Sequence, residues 1–226
     1  MNRIRLTSLL AFLVFISCKT DKKTAAVESE VEKSVLEKIA QASGYDNWNG
    51  ISSLKFTFNV DRDTIHSERK WHWNVAANEV TGISYGDTAT YNRATVDSTS
   101  AGVDAAFIND KYWMLAPFNL IWDQDSFTYQ LDSVAEAPIS KQAMQKLTIV
   151  YGSEGGYTPG DAYDFYFGDD YLIQEWAFRK GNQADPNVIT TWEAYQDFEG
   201  LKIATVHKGA SGNFQISFTG IEAVRR

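Results

Sequence analysis

The sequence predicts an α+β domain, mostly β, in which a curved antiparallel sheet wraps over an N-terminal helix. Two patterns carry this expectation. From residue 51 onward apolar residues recur with a period of two, in runs separated by turn residues, whereas the segment just before repeats at helical spacing. Ahead of both stands an arginine-flanked oily run that ends in the chain's one cysteine.

That first run belongs to targeting. Arg3 and Arg5 precede Leu6 to Ile16, an apolar core well short of the roughly 20 residues that span a bilayer. It reads as a signal peptide over residues 1–17. Ser17 followed by Cys18 resembles the lipobox of bacterial lipoprotein signals, which implies cleavage before Cys18 and acylation of its sulfur and amino group. Cys18 is then the lipidation site, residues 18–27 are the lipidated cysteine and a tether, and residues 28–226 are a single domain. The alternative, a buried inert thiol, fits the flanking charges less well, and a disulfide within the chain is excluded for want of a second cysteine. Several acyl chains, at about 0.8 kcal/mol per buried CH₂, anchor stably where one is marginal.

The charge balance fits an anchor made of lipid rather than of cations. Twenty-one Lys and Arg stand against 29 Asp and Glu, a net of −8, and removing residues 1–17 takes two arginines and no acid, which brings it to −10. Such a chain is repelled by nucleic acid and by anionic lipid. No cofactor motif is present.

The helix is expected after a capping box of Ser29 with Glu32, where Val31, Val35, Leu36, Ile39 and Ala42 form one stripe about four turns long, with Gly44 as a left-handed stop. In the first strand Leu54, Phe56, Phe58 and Val60 alternate with polar residues. In the second, Ile65, Ser67, Arg69, Trp71, Trp73 and Val75 share one face, and Asp61-Arg62-Asp63 supplies the hairpin turn. Further strands are expected near 79–85, 88–92, 104–108, 145–151, 162–167, 171–179, 188–195, 201–207 and 213–220. Asn109-Asp110, Gly168 to Asp170, Gly181-Asn182, Glu199-Gly200 and Gly209 to Gly212 are expected as turns between strands.

Catalytic and metal motifs lack their required settings. "GISYG" at 82–86 places Ser84 as in a nucleophile elbow, but the threonine-rich residues that follow show no helix, and His207 is the only histidine downstream. His66 and His72 share a strand face at a spacing of about 20 Å, too far to hold one ion. Asp161, Asp164, Asp169 and Asp170 lack the spacing of a calcium loop, and "YGSEGGYTPG" lacks the lysine and the helix of a phosphate cradle. The chain is therefore read as a non-enzyme without metal or cofactor.

What remains is aromatic surface. Seven Trp, eleven Tyr and thirteen Phe gather on single strand faces, enough either to fill the core or to wall a cavity for an apolar ligand. Both readings stay open at this point. The candidate cavity residues are Phe56, Phe58, Arg69, Trp71, Trp73, Tyr163, Phe165, Trp176 and Phe178, together with Trp113 and Phe118 from "YWMLAPFNLIWD", which fits neither period and reads as a loop or short helix lying as a lid. Arg69, inside an apolar row, needs an anionic partner, either a protein carboxylate or a ligand group, unless its head exits at the rim.

Taken together, "ASGYDNWNGISSLKFTF", "WMLAPFNLIWD", "GGYTPGDAYDFYFGDDYLIQEW" and "FEGLKIAT", spanning about residues 40 to 208, resemble a family of uncharacterised envelope lipoproteins common in the Bacteroidota. That family in turn resembles the LolA and LolB type of lipoprotein carrier. The resemblance implies an incomplete antiparallel barrel closed by helices around an apolar cavity. It implies binding or transfer of a lipid or lipoprotein ligand and no catalytic residues, while Lys19-Thr20-Asp21-Lys22-Lys23, without the strongly acidic run associated with surface export, leads to the expectation of an anchor in the outer membrane facing the periplasm. This chain has Ala42-Ser43-Gly44 where the family carries His-Gly-Gly, so no role for that histidine transfers. The competing reading is a structural or adaptor lipoprotein with a filled core that acts through a protein interface.

Overall fold

Residues 33–84 and 86–226 are described by the structure, a computed structural model. The signal, Cys18, the tether and the Ser29–Glu32 pair lie outside the described residues. Lys33–Arg226 form one compact unit with its own core.

The first helix, α1, runs Val35–Ala42 and starts at a different capping box from the expected one. Ser34 Oγ accepts the Glu37 N–H at 3.3 Å, and the Glu37 carboxylate accepts the Ser34 N–H at 2.7 Å. Two otherwise orphaned donors are thereby satisfied, and these bonds hold the Glu37 pKa below its ordinary value. Leu36, Ile39 and Ala40 are its buried face. Gly44 ends it with φ 88°, and a Cβ there would meet the Gly200 carbonyl oxygen at 2.0 Å. Only glycine meets both demands. The 3-10 turn Tyr45–Gly50 then buries Trp48.

Among the described residues twelve strands follow: β1 Ile51–Arg62, β2 Ile65–Asn74, β3 Glu79–Ser84, β4 Asp87–Asn92, β5 Phe127–Glu136, β6 Ala143–Tyr151, β7 Ala162–Phe167, β8 Ile173–Arg179, β9 Val188–Thr191, β10 Glu193–Phe198, β11 Leu201–Lys208 and β12 Phe214–Arg225. They form a seven-stranded sheet in the order β10-β11-β12-β1-β2-β3-β4 and a five-stranded sheet in the order β5-β6-β7-β8-β9. All pairings are antiparallel. The two sheets touch at one seam, the bridge Thr190 to Gly209, while β4 and β5 stay unpaired at the far edges. The result is the predicted α+β fold, a curved antiparallel wall that does not close. The run expected as one strand over 188–195 divides at Trp192, whose buried side chain marks the crossing from one sheet to the other.

The main departure from expectation is the second helix, α2, Ala101–Trp122. It replaces the strand expected at 104–108, the turn expected at Asn109-Asp110 and the lid expected at 112–123. Asp110 to Leu120 are buried without a break, so this half of α2 is a core helix with no water-facing stripe, whereas Ala101, Gly102 and Asn109 before it are exposed. A helix apolar on every side shows no period to read. Pro117 adds to the disguise: it has no N–H for the Trp113 carbonyl, and the helix bends at Leu115 (φ −118°, ψ 24°). The start is set locally by Asp97, whose carboxylate accepts the N–H groups of Thr99 and Ser100 and both their hydroxyls. Those bonds hold the Asp97 pKa down at about 2.

Strand β5 carries no signal either. Nearly all its residues are exposed, Tyr129 and Leu131 included, and a bulge interrupts its register with β6 between Asp132 and Ala135. An edge strand without a buried face does not alternate. Around α2 the core gathers Phe56, Phe58, Trp71 and Trp73 from one sheet and Leu147, Phe165, Phe167 and Trp176 from the other. Each such burial contributes roughly 1.5–3 kcal/mol.

Candidate functional site: a cavity beside the central helix

One side of α2 is not filled. A cavity of about 1050 Å³ lies between Lys111, Tyr112 and Trp113 of α2 and Tyr163, Trp176 and Phe178 of the five-stranded sheet. Trp48 and Trp73 reach it from the other sheet's side, and the glycine-rich segment 152–158 borders it. Of the residues singled out in the sequence, Trp73, Trp113, Tyr163, Trp176 and Phe178 stand on the wall. Phe56, Phe58, Arg69, Trp71, Phe118 and Phe165 do not: Phe56 and Phe58 pack edge-on against Phe218, and Phe118 packs against Tyr45 and Trp48.

Arg69 has a protein partner. Its Nε and Nη2 donate to the two oxygens of fully buried Asp110 at 2.7 and 2.6 Å, and its guanidinium lies 5.2 Å from the Phe58 ring centroid. The Trp71 indole N–H and the Asn109 amide complete the same carboxylate. The pair joins β2 to α2.

The wall of the cavity is aromatic but not inert. Tyr112, Tyr151 and Tyr163 are held neutral because burial drives their phenol pKa values upward. The indole N–H groups of Trp73 and Trp176 are buried and reach no acceptor among the described residues. Among the described residues Lys111 carries the one ammonium that is buried on this wall: it is 6% exposed, and burial lowers its pKa to about 8. Its signal in the sequence is a lysine directly ahead of the apolar run of residues 112–122.

The glycine-rich segment between β6 and β7 forms a closed loop rather than a phosphate cradle. Gly160 N–H donates to the Gly152 carbonyl at 2.8 Å, so the loop ends meet, and Gly155 and Gly156 take positive φ. Its tip is pinned: the Tyr157 hydroxyl donates to Asp104 of α2. Asp104 is buried and also accepts from the Tyr91 hydroxyl at 2.8 Å and from Arg93 Nε at 3.1 Å. The hydrogen bond to Asp104 raises the Tyr157 pKa. The segment read from sequence as a lid at 112–123 is thus part of the buried helix, and the loop that borders the cavity is 152–158.

The other candidates fall into structural roles. Ser84 ends β3 and pairs with Asp87 of β4, so no helix follows it and no elbow forms. His207 is enclosed by the rings of Trp113, Trp192 and Phe218, with its pKa pulled down to about 3 by burial. His66 meets Asp61 at 2.7 Å on the exposed face. Asp164 pairs with Arg179, and Asp161 accepts the Gly181 N–H. Among the described residues no group of three or more His, Cys, Asp or Glu is placed to hold a metal.

The fold, an unclosed antiparallel sheet around a buried helix, is similar to that of a solved LolA-like structure. The chain is similar to the LolA superfamily protein of Nitrosomonas europaea, with a TM-score of 0.53 over 86% of this chain and 96% of that one, at 10% identity. A DUF1329 family protein from Desulfovibrio piger aligns over 84% of this chain and 91% of that one at 9% identity, with a TM-score of 0.47. No family model and no curated protein matches the chain.

Proposed function

We propose that this chain is a lipid-anchored envelope protein that binds a hydrophobic, acyl-chain ligand in the cavity beside α2. It acts as a carrier or receptor rather than as an enzyme. The observation that carries the reading is the cavity of about 1050 Å³ walled by Tyr112, Trp113, Tyr163, Trp176 and Phe178. A pocket of this size and lining suits a flexible apolar guest, which gains about 25 cal/mol per Å² of apolar area withdrawn from water. Ordering the chain and the loop offsets part of that gain, so micromolar affinity is expected. The LolA-like fold supports the reading. The lipobox-like signal supports a lipid anchor at Cys18, and the absence of a strongly acidic run in residues 19–23 supports its placement in the outer membrane with the domain facing the periplasm. A lipid or a lipoprotein's acyl chains are the partners this implies.

The test is a titration of the purified, delipidated full chain with hexadecanol, followed by tryptophan emission, since Trp73, Trp113 and Trp176 stand on the wall. Saturable binding is expected, weakened by Trp73→Asp. A flat titration removes the carrier reading. It would favour the adaptor reading, for which the exposed side chains Tyr129, Leu131 and Val134 on edge strand β5 offer a protein-binding face.

A further inference from the structure

We propose that Lys111 is the headgroup site of this cavity and that the ligand is an amphiphile with a carboxylate head. The proposal rests on the cavity-binding reading above and adds the chemistry of the ligand's polar end.

Lys111 sits mid-way along α2, where the helix lies deepest, and its side chain lines the cavity. Its ammonium stands 4.8 Å from the centroid of the Trp122 ring and 3.5 Å from Asn119 Oδ1. Among the described residues it makes no ion pair. An ammonium withdrawn from water with an amide and a ring for company is poorly compensated, and an anion supplied from the cavity side restores the balance. Two carboxylates act on it from further off, and both have other donors. Asp123 accepts the Asn119 amide at 2.6 Å and the Tyr151 hydroxyl at 3.1 Å, while Asp104 takes Tyr91, Arg93 and Tyr157.

The remaining charges on the wall sharpen the choice. Arg93 is committed to Asp104, and Lys180 is exposed. Glu154 and Asp161, in and just after the glycine-rich loop, disfavour an anion at that end. A monovalent carboxylate is matched by one ammonium, whereas a phosphate dianion calls for further free cations or a guanidinium fork. Burial, with Arg93 adding to it, lowers the Lys111 pKa to about 8, against upward pulls from Asp123 and Asp104. The group therefore still carries its proton at neutral pH.

The experiment compares palmitate with hexadecanol on the purified, delipidated full chain, for the native sequence, Lys111→Met and Lys111→Arg. Charge-assisted recognition predicts that palmitate binds at least about tenfold tighter than hexadecanol to the native chain. The preference should collapse in Lys111→Met and return in Lys111→Arg. It should also fall as pH rises through about 8, with no matching change for hexadecanol. As a readout that depends on the ammonium itself, the Lys111 ε-carbon NMR signal should titrate near pH 8 in the empty protein and at higher pH with palmitate bound. Equal affinity for both ligands in the native chain, or an acid preference that survives in Lys111→Met, overturns the headgroup site while leaving the cavity reading intact. Binding of neither ligand overturns both.

Discussion

The guanidinium of Arg69 and the carboxylate of Asp110 face each other through two parallel hydrogen bonds, with the Trp71 indole N–H on the same carboxylate at 2.8 Å. The contact ties the second strand of one sheet to the middle of the buried helix and so holds α2 in register behind the cavity. The arginine is 31% exposed at its side chain and the aspartate 0%, so the two ends of the pair are not equivalent.

That asymmetry makes a prediction about stability. Arg69→Met strands a fully buried carboxylate and should cost about 3 kcal/mol in urea unfolding. Adding Asp110→Leu removes the stranded charge and should recover much of the loss, though the Trp71 N–H then lacks its acceptor. A double variant no more stable than Arg69→Met would show that the carboxylate was never stranded.

The Tyr157–Asp104 contact makes a prediction about kinetics. It joins the tip of the loop bordering the cavity to α2, and Tyr157 is half exposed, so Tyr157→Phe should leave the core intact and loosen the loop. Ligand release followed by stopped flow should quicken several-fold, with little change in urea midpoint. An unchanged release rate together with a lowered midpoint would mean that the bond only braces the fold.

His207 makes a prediction about pH. Its folded pKa, about 3, lies below the unfolded value near 6.5, so the unfolded chain takes up a proton that the native ring refuses. Stability is then complete above about pH 6.5 and is lost as pH falls toward 3, by ~2 kcal/mol at pH 5. Replacing the imidazole, as in His207→Leu, should flatten this part of the acid limb in unfolding measured from pH 7 to 4.5, even if the variant is less stable at pH 7. An acid limb of unchanged slope would place the loss on other groups.

Cys18 makes a prediction about the envelope. Cys18→Ser should abolish acylation and leave an uncut or soluble form in place of a membrane-bound mature protein. Fractionation and intact mass would read this directly, and a variant that still partitions with membranes at the mature mass would remove the lipid anchor.

Much of the molecule can be read along the chain, wherever one face of an element meets core and the other meets water. Phe56 and Phe58 alternate with Lys55 and Thr57, and Trp71 and Trp73 with Lys70 and His72, because β1 and β2 each present one face inward. Gly44 announces the end of α1 because a left-handed residue pressed against Gly200 has no other choice. The same contrast is missing where the structure departs from expectation. Strand β5 is wet on both sides, and α2 from Asp110 to Leu120 is dry on all sides, so neither leaves a period in the sequence. Asp110, which looks like half of a turn, becomes the partner of Arg69 only when α2 passes behind β2. The aromatic residues that wall the cavity would serve equally well in a filled core. Whether they meet or stand apart depends on the placement of α2 against the five-stranded sheet, which no local pattern encodes. That placement is what sets Lys111 on the wall of a space of about 1050 Å³.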